Sequence, residues 1–113
     1  MLPENFSKNL SVEVAKIRSE LEEEMKRSGY WSQGDLSEEA YHFRQAFAMD
    51  TMAFPQWLQF ILIPRVDEIL GKNGSFPTES MVAAQAVREF DGDDNAGQLV
   101  SLLSQFDALI NRG

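Results

Sequence analysis

Apolar residues recur at three- and four-residue spacing along this chain, and no pair of segments alternates strictly enough to pair as strands. From 7 to 28, Leu10, Val14, Ile17, Leu21 and Met25 trace one stripe of an amphipathic helix. Near the other end, Leu99, Leu102, Leu103, Phe106, Leu109 and Ile110 trace a second stripe. Between them, Trp57 to Ile63 is the most apolar window, seven residues broken by Gln59. It reads locally as a buried strand or a buried helix, and the lack of a pairing segment selects helix. Pro55 fits the first turn of that helix, where its missing N–H costs nothing. Pro64 lies inside the same run, where its ring removes the bond to the Phe60 carbonyl and is expected to kink or split the helix before Leu70.

The remaining elements follow from punctuation. Gly29 is placed to stop the first helix, and Tyr30-Trp31 lies in the loop that follows. Ser37 to Ala48 is expected to hold a short helical turn with Ser37 as N-cap. After a loop from Gly71 to Pro77, Thr78 is expected to cap a helix reaching Phe90, with Met81, Val82, Ala84, Ala86, Val87 and Phe90 facing inward. The predicted fold is all-α, a four-helix bundle-like single domain spanning 1–113 with a proline-kinked central helix.

Composition excludes several kinds of function. The 113 residues include 18 Asp+Glu against 10 Lys+Arg, for a formal charge of −8. Nucleic-acid binding needs clustered Lys and Arg to displace counterions from phosphates, so no direct nucleic-acid partner is expected. With no cysteine there is neither a disulfide nor a thiolate site. The start of the chain, Met1 to Phe6, lacks the basic and apolar regions of a signal peptide, and no window approaches the ~20 apolar residues of a membrane span. A cytoplasmic protein without a membrane role is expected.

Candidate chemistry is sparse. Asp91-x-Asp93-x-Asn95 opens like a calcium loop, but Ala96 and Leu102 occupy the positions that need Gly and a bidentate Glu. It reads as a turn in which Asp93 or Asp94 caps the last helix. Glu20 to Glu24 reads as a solvated helix face. His42, the one histidine, has no nucleophile motif beside it and reads as a surface or half-buried side chain. No catalytic or metal residue is assigned, no cofactor is expected, and the chain is read as no enzyme.

The segment from Ala40 to Val66 stands apart. It holds six of the twelve aromatic residues and one acid, Asp50, against Arg44 and Arg65, for a local charge of +1. The remainder therefore carries −9. Such a stretch is either the centre of the core or a surface that meets a partner, because aromatic and Arg residues are enriched at interface hot spots. Asp50 and Thr51 are candidate helix caps, Trp57 a core filler, and Arg65 a partner for Asp67 or Glu68. The same residues, with Trp31, Met52 and Gln59, are the candidate partner- or ligand-binding set.

In this segment, Met49-Asp50-Thr51-Met52 followed by Gln56-Trp57-Leu58-Gln59-Phe60-Ile61-Leu62-Ile63-Pro64-Arg65 resembles the YqcC-like family of small bacterial proteins. The family pattern runs D-T-M, then W-L-Q-W, then L-I-P-R. Phe60 replaces its second Trp, and Pro55 falls one place later than its usual proline. Trp31, Phe76-Pro77 and Asp107-Ala108-Leu109 also fit. The resemblance implies an all-α, bundle-like domain. It also implies an association, by name and gene neighbourhood, with the pseudouridine synthase that modifies a uridine near the tRNA anticodon stem. It implies no reaction.

Two functions are weighed on these residues. The first is a non-enzymatic interaction module, an accessory to that synthase, docking by charge complementarity on a basic, RNA-binding protein partner. The alternative is a small-ligand-binding helical protein with a pocket lined by Trp31, Trp57, Met52 and Phe60, where Arg65 or Gln59 orients a polar group. Oligomeric state is not readable from the sequence.

Overall fold

The computed structural model describes the backbone of residues 4–112 and the side chains of 9–112, so the signal-peptide reading of the first residues lies partly outside the described part. The described residues form four helices and no strands. The first, α1 (Glu4–Ser28), buries the expected stripe of Val14, Ile17, Leu21 and Met25. It ends as Gly29 predicts. With φ at +86° this residue turns the chain left-handed, so its N–H reaches the Lys26 carbonyl and that of Tyr30 the Met25 carbonyl. This crossed pair satisfies carbonyls that the helix end would otherwise leave free.

Residues 54–71 form α2. It opens with the α-helical turn Phe54–Trp57, passes through a π-helical turn, Leu58–Leu62, and finishes as α-helix, Ile63–Gly71. Pro55 sits in the first turn as expected, and the Gln56 side chain accepts the Ala53 N–H at 2.9 Å. Pro64 does not end the helix. The turn before it widens instead, and the Ile63 N–H reaches back to the Leu58 carbonyl, five residues away. Such a widened turn lets the helix continue past the proline.

The third helix, α3 (Val82–Glu89), is shorter than the Thr78 start implies and is turned differently. Val82, Ala86 and Phe90 are buried, but Ala84 is exposed, and Met81 and Val87 are 72% and 58% exposed. Thr78 makes no cap. The α3 N-terminus is held from another helix, by Asp107 of α4 (Gly97–Arg112). The Asp107 carboxylate accepts the Val82 and Ala83 N–H groups at 3.1 and 2.8 Å, together with the Ser80 hydroxyl. One turn later on α4, the Asn111 carboxamide accepts the Ser80 N–H at 2.7 Å and donates to its carbonyl at 3.0 Å. A start fixed by a residue 25 positions away cannot be seen in the local sequence.

α4 buries Leu99, Leu102, Leu103, Phe106 and Ile110 as its stripe predicts. A 3₁₀ turn, Asp94–Ala96, leads into it, and the Asp93 carboxylate accepts the Asn95 N–H at 3.0 Å, so the acidic turn is a cap. α4 runs antiparallel to α1. Asn95 donates to the Ser28 carbonyl at 2.7 Å at one end, and Arg112 pairs with Glu13 at 3.0 Å at the other. α2 also runs antiparallel to α1, fastened where Arg18 grips Asp67 through two hydrogen bonds of 2.7 and 2.9 Å. The core is the apolar volume shared by these helices.

Candidate functional site

The segment from 40 to 53 is shaped by side chains bonding to backbone. The expected helical turn from Ser37 to Ala48 is two separate 3₁₀ turns, Glu38–Tyr41 and Ala46–Ala48, and the Ser37 side chain caps neither. Asp50 explains the break. Its carboxylate accepts the Arg44 N–H at 2.9 Å and the Gln45 N–H at 3.3 Å, two donors that a continuing helix would have used. These bonds, the one from Arg44 first, hold the Asp50 carboxyl below the usual carboxylate range. The Thr51 hydroxyl donates to the Ala40 carbonyl at 2.6 Å and ties the loop's two ends together. Within it, Phe47 and Ala48 both adopt left-handed backbone, with φ of +57° and +52°. Consecutive non-glycine residues in that region store strain, and the Asp50 and Thr51 bonds over-determine it. Asp50 and Thr51 thus fold the loop back on itself and cap no helix.

This backbone drives the Phe47 ring into an aromatic chain. Phe47 meets Trp57 edge-on at 4.9 Å, Trp57 stacks on Phe54 at 5.8 Å, Phe54 meets Phe90 at 5.7 Å, and Phe90 meets Tyr30 at 4.9 Å. The chain of rings joins α2, α3 and the turn after α1. Ala48 and Met52 are buried behind it, whereas Met49 is 52% exposed and lies 3.6 Å from the Gln85 amide of α3.

Gln59 sits in the π-helical turn and is only 8% exposed. Its carboxamide accepts the Ser32 N–H at 2.7 Å and donates to the Ser32 carbonyl at 2.9 Å. The neighbouring Trp31 is half-buried, with the Lys26 ammonium 5.1 Å from its ring centre. Arg65 is exposed and, among the described residues, forms neither an ion pair nor a side-chain hydrogen bond. Of its expected carboxylates, Asp67 is held by Arg18 and Glu68 is paired with Lys72, while Arg65 lies near enough to Glu68 to add, after Lys72, to the lowering of its carboxyl.

The structure therefore draws Trp31 and Gln59 together through Ser32, and Asp50, Thr51 and Trp57 together around the strained loop. Arg65 remains apart on α2. Phe47 lies edge-on to Trp57, and Phe54 stacks against it. A groove of about 300 Å³ opens elsewhere, between α1 and α4, lined by Glu20, Glu23, Glu24, Arg27, Gln98 and Leu102. Among its carboxylates, Glu24 pairs with Arg27, which holds its carboxyl below the usual range. Outside that lining on α1, Lys26 and Arg18 flank Glu22 and lower its carboxyl likewise. His42 is exposed, and no group of three metal-ligating side chains converges among the described residues. Among them, too, no helix is long and apolar enough to cross a membrane.

Asp107 and Asn111 were not in the expected set. Two signals mark Asp107: it is an acid inside the otherwise apolar face of α4, between Phe106 and Ile110, and it begins the Asp107-Ala108-Leu109 match to the family pattern.

Residues 13–109 match the family model described as tRNA pseudouridine synthase C. The chain belongs to that family. This is the YqcC-like resemblance of the 49–65 segment extended over most of the sequence. An uncharacterized protein of Haemophilus influenzae is 27% identical over 90 residues, covering 77% of this chain and 82% of its own length. A protein of Pectobacterium carotovorum subsp. carotovorum named tRNA pseudouridine synthase C is 29% identical over 65 residues, which are 58% of this chain and 17% of that protein. The family member thus spans most of one relative and about a sixth of the other. No solved structure matches it significantly.

Proposed function

We propose that this chain is a non-enzymatic interaction module that assists a tRNA pseudouridine synthase in the cytoplasm. One observation carries the reading: the module's sequence recurs inside a protein that bears the synthase's name. The 65 matched residues make that protein roughly 380 residues long, which leaves ample length for a separate catalytic domain. The Haemophilus relative, by the same arithmetic, is roughly 110 residues and so holds little beyond the module. A module joined to an enzyme in one chain and carried by a short chain in another gains the same proximity by two routes, a covalent tether or an interface.

Charge supports the second route. An enzyme that grips tRNA presents basic surface to the phosphates. A chain of net charge −8 is steered toward such a surface over long range and avoids competing polyanions. The aromatic chain and the strained loop supply a stiff body, and stiffness reduces the entropy lost on docking. The test is a pull-down at low ionic strength with the synthase encoded in the same genome. Retention of the synthase supports the reading, and its absence at low salt overturns it.

A further inference from the structure

We propose that the exposed face of α3, with Met49 and Tyr41 beside it, is the apolar centre of an interface whose other side is a basic-rimmed surface of the synthase. This rests on the reading of the chain as a module that binds the synthase.

Five large hydrophobic side chains are exposed among the described residues, and four of them, Tyr41, Met49, Met81 and Val87, belong to this side. Local contacts join them. α3 turns Val82 and Ala86 into the core, which leaves Ala84, Val87 and Arg88 in solvent next to Met81. On the same helix the Gln85 amide lies 3.6 Å from the Met49 sulfur. The Thr51 hydroxyl, bonded to the Ala40 carbonyl, ties the turn that holds Tyr41 to the loop that holds Met49. Met49 directly follows the left-handed Phe47 and Ala48, so the strained backbone is what brings a methionine to the surface beside α3. Strained backbone of this kind clusters at functional sites. Methionine adapts its shape to an opposing apolar surface, and apolar side chains gathered in solvent mark a place of interaction.

The surrounding charges select the occupant. Glu38, Glu39, Glu79 and Glu89 are exposed near this centre and form no ion pair among the described residues. Arg44 and Arg88 lie on the same side, which stays net negative. A second copy docked about a two-fold axis would set the same acids against one another. An enzyme that binds tRNA presents the opposite charge, and an apolar centre within a polar rim is the usual build of a protein interface. The acids steer the approach, and the apolar side chains hold the contact.

The experiment titrates the synthase with the full chain and three variants. Met81→Glu and Val87→Glu are each expected to weaken binding by about tenfold or more, because each buries an unmatched charge in the contact. Val12→Glu adds the same charge at a comparably exposed position on α1 and is expected to bind like the wild type. The change in net charge therefore cancels from the comparison. All three positions are exposed, and circular dichroism checks that each variant keeps its helices. Wild-type affinity in both α3 variants, or an equal loss with Val12→Glu, overturns this face and leaves the synthase reading standing. Failure of the wild type itself to bind overturns both. Sedimentation of the chain alone tests the other occupant: a dimer that Met81→Glu dissociates and Val12→Glu does not would replace the synthase surface with a second copy.

Discussion

The carboxamide of Gln59 embraces the main chain of Ser32, accepting its N–H at 2.7 Å and donating to its carbonyl at 2.9 Å. One buried side chain thereby supplies both backbone partners that this part of the loop lacks, across 27 residues of sequence. Replacing Gln59 with Leu keeps the volume and removes both partners. The expected cost is about 1–3 kcal/mol, from leaving two polar groups without partners, measured as a shift of the denaturant midpoint at constant m-value.

Asp107→Ala should be more damaging than an ordinary surface change on α4, because three donors at the start of α3 lose their acceptor together. A loss of about 2–3 kcal/mol is expected, with a smaller loss for Asp107→Asn, which retains one oxygen. Amide exchange at Val82 and Ala83 checks the cause. Faster exchange there than in α1 ties the loss to the α3 cap.

The two buried alanines Ala48 and Ala86 separate backbone strain from packing. At Ala86, inside α3, glycine is expected to cost about 1–2 kcal/mol through lost methyl burial and helix propensity. At Ala48, with φ of +52°, relief of left-handed strain offsets those losses, and Ala48→Gly should lie within about 0.5 kcal/mol of wild type. Equal costs at the two sites would remove the claim that the loop is strained.

Acid should loosen the fold in a defined direction. Asp50, Glu22 and Glu24 have carboxyl pKa values lowered in the folded chain, by backbone N–H groups at Asp50, by Lys26 and then Arg18 at Glu22, and by Arg27 at Glu24. A group held more acidic when folded contributes its full stability above its ordinary pKa, 3.8 for Asp50 and 4.5 for the glutamates, and loses it as pH falls through the lowered value. Thermal unfolding is therefore expected to be flat with respect to these groups above about pH 5 and to fall to lower temperature below pH 4. Asp50→Asn should flatten part of that fall.

These relationships also explain which parts of the fold were legible in the sequence. The stripes of α1 and α4 repeat over five or six apolar residues each, enough for periodicity alone to place the helix and its buried face. Gly29 and Asp93 act on neighbours within a few residues, so the turns they make were also readable. The start of α3 was not, because its cap arrives from Asp107, and Met81 and Val87 consequently face solvent. The 42–52 loop escaped for the same reason, since its shape follows from Asp50 and Thr51 bonding to main chain. Within the candidate site, the sequence marked the right segment. It had no means of telling that Asp50, Thr51 and Gln59 spend their hydrogen bonds internally while Arg65, among the described residues, does not.

The account turns on whether the chain and a tRNA pseudouridine synthase form a complex. Isothermal titration of the wild-type chain into the synthase at low and at physiological salt measures this directly. The expected result is a saturable complex whose affinity weakens as salt is raised, since an acidic module on a basic enzyme loses steering when screened. No detectable binding at low salt, with both proteins folded, would contradict it.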